Sequence, residues 1–142
     1  MKVIVCTDEK NGMLFNKRRQ SQDRALRADV CKMTARQRLW MNAYSGKQFQ
    51  EEIAERKEDS MGEILIAEDF LEKAGETDFC FVENESLMPW DTKICELIVY
   101  RWNRNYPADF HLDLDLEQWR LIRSQEFEGH SHEKITREHY VR

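Results

Sequence analysis

The sequence has no apolar run longer than a strand: Glu63-Ile64-Leu65-Ile66-Ala67 and Leu97-Ile98-Val99-Tyr100 are among the longest. A membrane-spanning helix needs about 20 such residues, so no transmembrane segment is expected. The opening Met1-Lys2-Val3-Ile4-Val5-Cys6-Thr7-Asp8 meets an acidic residue before a signal-peptide core could form, which predicts a cytoplasmic protein. Cysteine is sparse and scattered. Cys6, Cys31, Cys80 and Cys95 show no C-x-x-C spacing, and three lie inside apolar stretches, so buried reduced thiols are expected rather than a disulfide frame or a zinc site. Only five glycines and two prolines occur, with no low-complexity tract and no internal repeat, which leaves no obvious linker.

What is present fits one domain over 1–142, with 142 residues that are 41% hydrophobic and 35% charged. The net charge of −5 is unevenly spread. Residues 13–38 carry Lys17, Arg18, Arg19, Arg24, Arg27, Lys32, Arg36 and Arg38 against only Asp23 and Asp29, while the half after residue 60 is strongly acidic. A basic loop entering a helix N-terminus suits a phosphate or carboxylate, although such a stretch is often merely a solvated face. The overall negative charge disfavours nucleic acid as a general partner.

Val3-Ile4-Val5-Cys6 predicts a strand buried on both faces, and Asn11-Gly12 a turn. Ser21 is placed as an N-cap with Asp23 in the first turn, and Leu26, Val30 and Met33 line one face of a helix ending near Thr34. Arg38 to Met41 reads as a strand, Ser45 as the cap of a second helix, and Glu51 to Asp59 as its solvated end. Ile64 to Ile66, a short helix over 68–74 stopped by Gly75, and Phe79 to Val82 follow. After one helical turn at 86–90, strands alone are expected around Glu96–Trp102, Phe110–Leu112, Trp119–Arg123 and Lys134–Val141. The class is therefore α/β, a mixed, mostly parallel sheet with flanking helices and antiparallel C-terminal strands.

The order of parts resembles the dihydrofolate reductase fold. Val3 to Met13 is similar to that family's first strand and the N-G-(I/M) turn of its active-site loop. Glu63 to Val82 resembles its strand, helix and strand leading to the cofactor glycines. The closing pieces, Glu96–Arg101, Tyr106 to Leu112, Leu116 to Leu121, Glu126-Phe127 and Tyr140, follow its last strands in type and spacing. The resemblance implies a sheet with about one strand fewer, the one that would follow Asp59, and it implies little reductase chemistry. Where the family has a Pro-Trp pair and a helix carboxylate that protonates the pterin, this chain has Leu14 to Arg19, with Asp23 the nearest carboxylate and Asp29 further on. Val82-Glu83-Asn84-Glu85 replaces the adjacent glycines, and both glutamates would repel a pyrophosphate. Ser45 falls where the family places a Thr on the cofactor phosphate, and Tyr100 where it places a Thr near the pterin. No cofactor is expected.

His130-Ser131-His132-Glu133 resembles the start of the H-x-H-x-D-H segment of metallo-β-lactamase-type hydrolases, ribonuclease Z included. It continues Lys134-Ile135 where that superfamily has Asp-His, so a polar turn competes with a metal site. No Ser-His-Asp or Cys-His arrangement is legible from spacing, and Cys6 or Cys31 is a weak nucleophile candidate. Arg101, Trp102 and Arg104, in a polar-aromatic loop reaching Tyr106, suit contact with a ligand or partner.

Composition and motifs leave three readings. The first is a degenerate reductase-like domain, enzymatic or not, that binds a small anionic, nucleotide-like or pterin-like molecule through Lys17, Arg18, Arg19 and Arg24, with Asp23 as candidate acid. It predicts a concave site between the first helix and the sheet. The second is an interaction or inhibitory module presenting its acidic half to a protein partner, with an exposed sheet edge inviting a homodimer. The third is a metal-dependent hydrolase or ribonuclease using His130 and His132.

Overall fold

Unbroken apolar runs with little Gly or Pro make the central strands, and chain from both termini enters the same sheet. A computed structural model describes residues 1–59 and 62–142. In chain order the strands are β1 (Lys2–Thr7), β2 (Gly12–Phe15), β3 (Arg18–Arg19), β4 (Arg38–Met41), β5 (Glu63–Ile66), β6 (Phe79–Phe81), β7 (Glu96–Arg101), β8 (Phe110–His111), β9 (Arg120–Phe127) and β10 (Ile135–Val141). The α-helices are α1 (Arg24–Met33), α2 (Ala43–Gln48), α3 (Gln50–Asp59) and α4 (Phe70–Lys73). Short 3-10 turns occupy Met88–Lys93 and Leu116–Gln118.

Seven strands form one sheet in the order β5-β4-β6-β1-β7-β10-β9. Strand β1 runs parallel to both β6 and β7, with Val3 opposite Cys80 and Leu97. Strand β10 is antiparallel to β7 and β9. The mixed, mostly parallel sheet with antiparallel C-terminal strands is thus as the residue pattern predicts. Alternation sorts its core into two layers. Val3, Val5, Cys80, Leu97 and Val99 pack on one face with Phe70, Leu71 and Leu87. Ile4, Phe79, Phe81, Ile98 and Tyr100 pack on the other with Leu26 and Val30 of α1 and with Phe49.

Several local expectations change. Leu14 to Arg19, which carried no predicted element, forms the β2–β3 hairpin, joined by β8 in a separate three-stranded sheet. Its turn places Asn16 and Lys17 at φ of 51° and 62°. Asp23, not Ser21, is the N-cap of α1, because its carboxylate reaches the Ala25 N–H at 2.8 Å. Asn42, not Ser45, caps α2, accepting from the Ser45 N–H at 3.1 Å. The charged run after Phe49 is a separate helix, and it is not wholly solvated: Glu52 and Arg56 are buried. Arg56 donates to the Cys31 carbonyl and the Thr34 hydroxyl, and Glu52 pairs with Arg27, so α3 is tied to α1 by charge. Cys80 is buried, Cys6 and Cys31 are half-buried, and Cys95, expected inside, is exposed. No described helix is long and apolar enough to cross a membrane.

Candidate functional site

The polar groups converge outside the carboxyl ends of the parallel strands β1 and β7, where open α/β sheets present side chains to ligands. Strand β1 leads into Asp8, β7 into Trp102, and the β2–β3 hairpin delivers Arg19, Gln20 and Ser21 to the start of α1. Asp8 fixes this end. Its carboxylate accepts the Lys10 and Gly12 N–H groups at 2.9 and 2.8 Å and the Gln20 amide at 3.1 Å. Burial works against ionisation, but these donors and the Tyr106 N–H outweigh it and hold the Asp8 carboxyl below the usual range. Gly12 is required by space, since a Cβ there would stand 2.6 Å from the Ala108 Cβ.

Asp23 does more than cap. One carboxylate oxygen accepts the Ala25 and His130 N–H groups, at 2.8 and 2.9 Å. The other accepts the Ser131 N–H at 2.8 Å, the Ser131 hydroxyl at 3.1 Å and the His132 Nδ1 at 2.8 Å. Burial opposes this charge, but the backbone donors and His132 hold the Asp23 carboxyl far below the usual carboxylate range. It is therefore an ionised acceptor at neutral pH, not a proton donor. Because an ionised carboxylate only accepts, the facing His132 Nδ1 carries a proton, and in the neutral imidazole Nε2 is then the acceptor. Nε2 faces the Ser21 hydroxyl at 2.9 Å and the Tyr106 hydroxyl at 3.2 Å. The ring stacks on Trp102 at 4.6 Å between centroids.

Glu83 is the second hub. It forms a two-pronged ion pair with Arg19, at 2.8 and 3.1 Å, and accepts from the Ser45 hydroxyl at 2.8 Å. Arg19 also lies over the Tyr44 ring at 4.5 Å. On the α1 side, the buried Tyr100 hydroxyl donates to Asp29 at 2.6 Å, and Arg137 pairs with the same carboxylate. Burial, with Asp29 beside it, pushes the Tyr100 phenol well above its ordinary value. Burial likewise raises the Cys6 thiol, and raises Cys31 to about 11, so neither is a thiolate at neutral pH.

The structure thus separates the residues singled out from sequence. Arg18 and Arg19 meet on an open groove of about 510 Å3 walled by Phe15, Asn16, Gln20, Tyr106 and Pro107. Lys17 is exposed on the adjoining hairpin turn, and Arg24 is exposed at the first position of α1. Ser45 and Tyr100 are fully buried, and Arg104 is exposed with its carbonyl accepting the Glu9 N–H. The groove lies on the hairpin side rather than between α1 and the sheet. Beside Cys6, Ser21, Glu83 and Trp102 the enclosed space is about 10 Å3, room for about one water. His130 is exposed, and His132 commits both ring nitrogens to side chains; no group of three or more His, Cys, Asp or Glu residues among those described could hold a metal. Reading the sequence missed the contact of Ser21 with His132. Their separation of 111 residues leaves no spacing signal.

No family model and no curated protein matches the chain. Among solved structures, dihydrofolate reductase from Enterococcus faecalis, in complex with NADP(H) and RAB-propyl, superposes with a TM-score of 0.67 over 99% of this chain and 95% of that one, at 9% identity. The fold is dihydrofolate reductase-like.

Proposed function

We propose that this chain keeps the reductase-like fold without the reductase chemistry, and that it binds a small anionic, nucleotide-like or pterin-like molecule in the hairpin groove. The groove carries this reading: about 510 Å3, lined by Arg18 and Arg19 together with Tyr106 and Pro107. Guanidinium groups suit phosphate or carboxylate, and an aromatic wall suits a planar base. Arg18 is the freer of the two cations, since Arg19 is spent largely on Glu83. Lys17 and Arg24 extend the positive field from nearby exposed positions rather than as walls of the groove.

Loss of reductase chemistry is supported at two points. The Glu83 carboxylate stands, buried and paired, in the stretch that resembles the family's glycine approach to its cofactor, where it would oppose a pyrophosphate. Asp23 is ionised and fully engaged, so it has no proton to donate to a pterin. The purified chain should consume no NADPH with dihydrofolate above the uncatalysed rate. It should bind ADP or folate by titration calorimetry, and Lys17→Glu with Arg18→Glu should abolish that binding with little change in melting temperature. Reductase turnover, or no heat with either probe, would overturn the reading.

A further inference from the structure

The same convergence of elements places Ser21, His132 and Asp23 in line. The Ser21 hydroxyl lies 2.9 Å from His132 Nε2, and His132 Nδ1 lies 2.8 Å from the Asp23 carboxylate. We propose that this is a hydrolytic site in which Ser21 is the nucleophile, His132 the general base and Asp23 the positioning residue, acting on a carboxylic ester. The geometry meets each requirement of an activated serine: hydroxyl and base within hydrogen-bond reach, and a third group orienting the base.

Three independent features favour chemistry over a merely structural hydrogen bond. Asp23 and His132 are 2% and 6% exposed, so the charge that stabilises an imidazolium is held out of water, where it acts strongly. The stacked Trp102 ring and the Asp23 bond fix the imidazole in one plane and one tautomer. Ser21, by contrast, is only half-buried. Its neighbours Arg19 and Gln20 wall the open groove together with Tyr106, the residue whose hydroxyl shares His132 Nε2. Arg19 and Gln20 line both that groove and the space of about 10 Å3 that Ser21 lines, so an acyl group lying in the groove requires these two side chains to admit its carbonyl to Ser21.

Hydrolysis takes two stages. The Ser21 oxygen bonds to the ester carbonyl carbon as its proton passes to His132 Nε2. The tetrahedral adduct then collapses, the C–O bond to the alcohol breaks, and the alcohol leaves with that proton. Water, deprotonated by the same nitrogen, attacks the acyl-serine, releases the carboxylic acid and returns Ser21 to its starting state. The Tyr106 hydroxyl lies beside the reacting atoms, 3.2 Å from the same nitrogen.

Ester cleavage at Ser21 requires no anionic ligand in the groove. A fluorophosphonate probe, which forms an O–P bond and expels fluoride, tests the serine, and p-nitrophenyl acetate tests turnover. Folded wild-type protein should carry the phosphonate on Ser21, located by peptide mass spectrometry, and release p-nitrophenol. Ser21→Ala should abolish both, and Asp23→Asn should slow release by about 10²–10⁴-fold. Because Asp23→Asn also disturbs the α1 cap, Ser21→Cys gives a second readout. Peptide-resolved alkylation of its introduced thiol by iodoacetamide should titrate below the ordinary thiol value of about 8.5, and adding His132→Gln should return it to that value. Failure to label folded wild-type protein, labelling that survives Ser21→Ala, or an unshifted alkylation profile in the Ser21→Cys variant would each overturn the proposal, while leaving ADP or folate binding untouched.

Discussion

The two halves of the main sheet are held by different forces. In the parallel half, Val3, Ile4, Val5, Leu97, Ile98 and Val99 are each at most 1% exposed, and layers of apolar side chains cover both faces. In the antiparallel half, β9 is exposed along nearly its whole length, with Leu121 and Ile122 47% and 49% exposed. Strand β10 buries Ile135 and Tyr140 and carries polar ties besides. Arg137 pairs with Asp29 at 2.6 Å, Glu138 with Arg101 at 2.8 Å, and His139 with Glu96 at 2.8 Å. The turn that feeds β10 is gripped by Asp23. Non-directional burial therefore builds the scaffold, while directional polar bonds attach the segment that carries His132.

The scaffold should be the more costly to damage. Phe81 is 1% exposed and packs edge-on against Phe49 at 4.9 Å. Phe81→Ala removes a ring from the centre of one layer and should cost about 3–5 kcal/mol, read as a fall in the urea midpoint. Asp23→Ala is the matching lesion in the polar half. It deletes the α1 cap and leaves the His130 and Ser131 N–H groups and the His132 ring without their acceptor, so about 2–4 kcal/mol is expected. Amide exchange distinguishes the two. Phe81→Ala should weaken protection across β1, β6 and β7, whereas Asp23→Ala should expose first the 128–132 turn and β10.

Acid should act on the polar contacts of both halves. Burial opposes ionisation of Asp8, Asp23 and Asp113, but their hydrogen-bond donors outweigh it and hold the three carboxyls below the usual range; that of Glu96 is held there by the His139 bond above all. A depressed folded-state value means that the stabilisation is complete above the unfolded value of about 4 and is lost as pH falls through the folded one. Stability should therefore be flat downward from neutral to about pH 5 with respect to these groups and decline below about pH 4. Asp23→Asn should flatten that decline. An equal slope in wild type and variant, measured by urea midpoints across the range, would show that Asp23 is not part of it.

The difference between the halves also governs how much was legible in the sequence. Unbroken runs such as Val3 to Cys6 and Leu97 to Tyr100 announce the parallel strands, because burial on both faces leaves a local signature in composition. The site has no such signature. Ser21 and Asp23 reach His132 across sequence separations of 111 and 109. The capping roles of Asp23 and Asn42 are hidden for a related reason: several residues near each helix start are good capping types, and the backbone path decides which side chain reaches the free N–H. Arg19 was recognisable as basic, but its commitment to Glu83, 64 residues away, is a tertiary fact that reduces its availability to a ligand.

The smallest expected effect marks where polar contacts stop mattering. Lys134 and Glu126 approach to 3.3 Å where β9 and β10 meet, with side chains 57% and 58% exposed. Water and salt screen such a pair, and ordering two long side chains offsets most of its attraction, so Lys134→Ala should change stability by less than about 0.5 kcal/mol. Arg137→Ala, within β10 itself, removes a partner of Asp29 that is only 12% exposed and should cost several times more. If the two substitutions prove equal in urea denaturation, charge does not anchor β10, and its attachment must rest instead on the backbone ladder to β7 and on buried Ile135 and Tyr140.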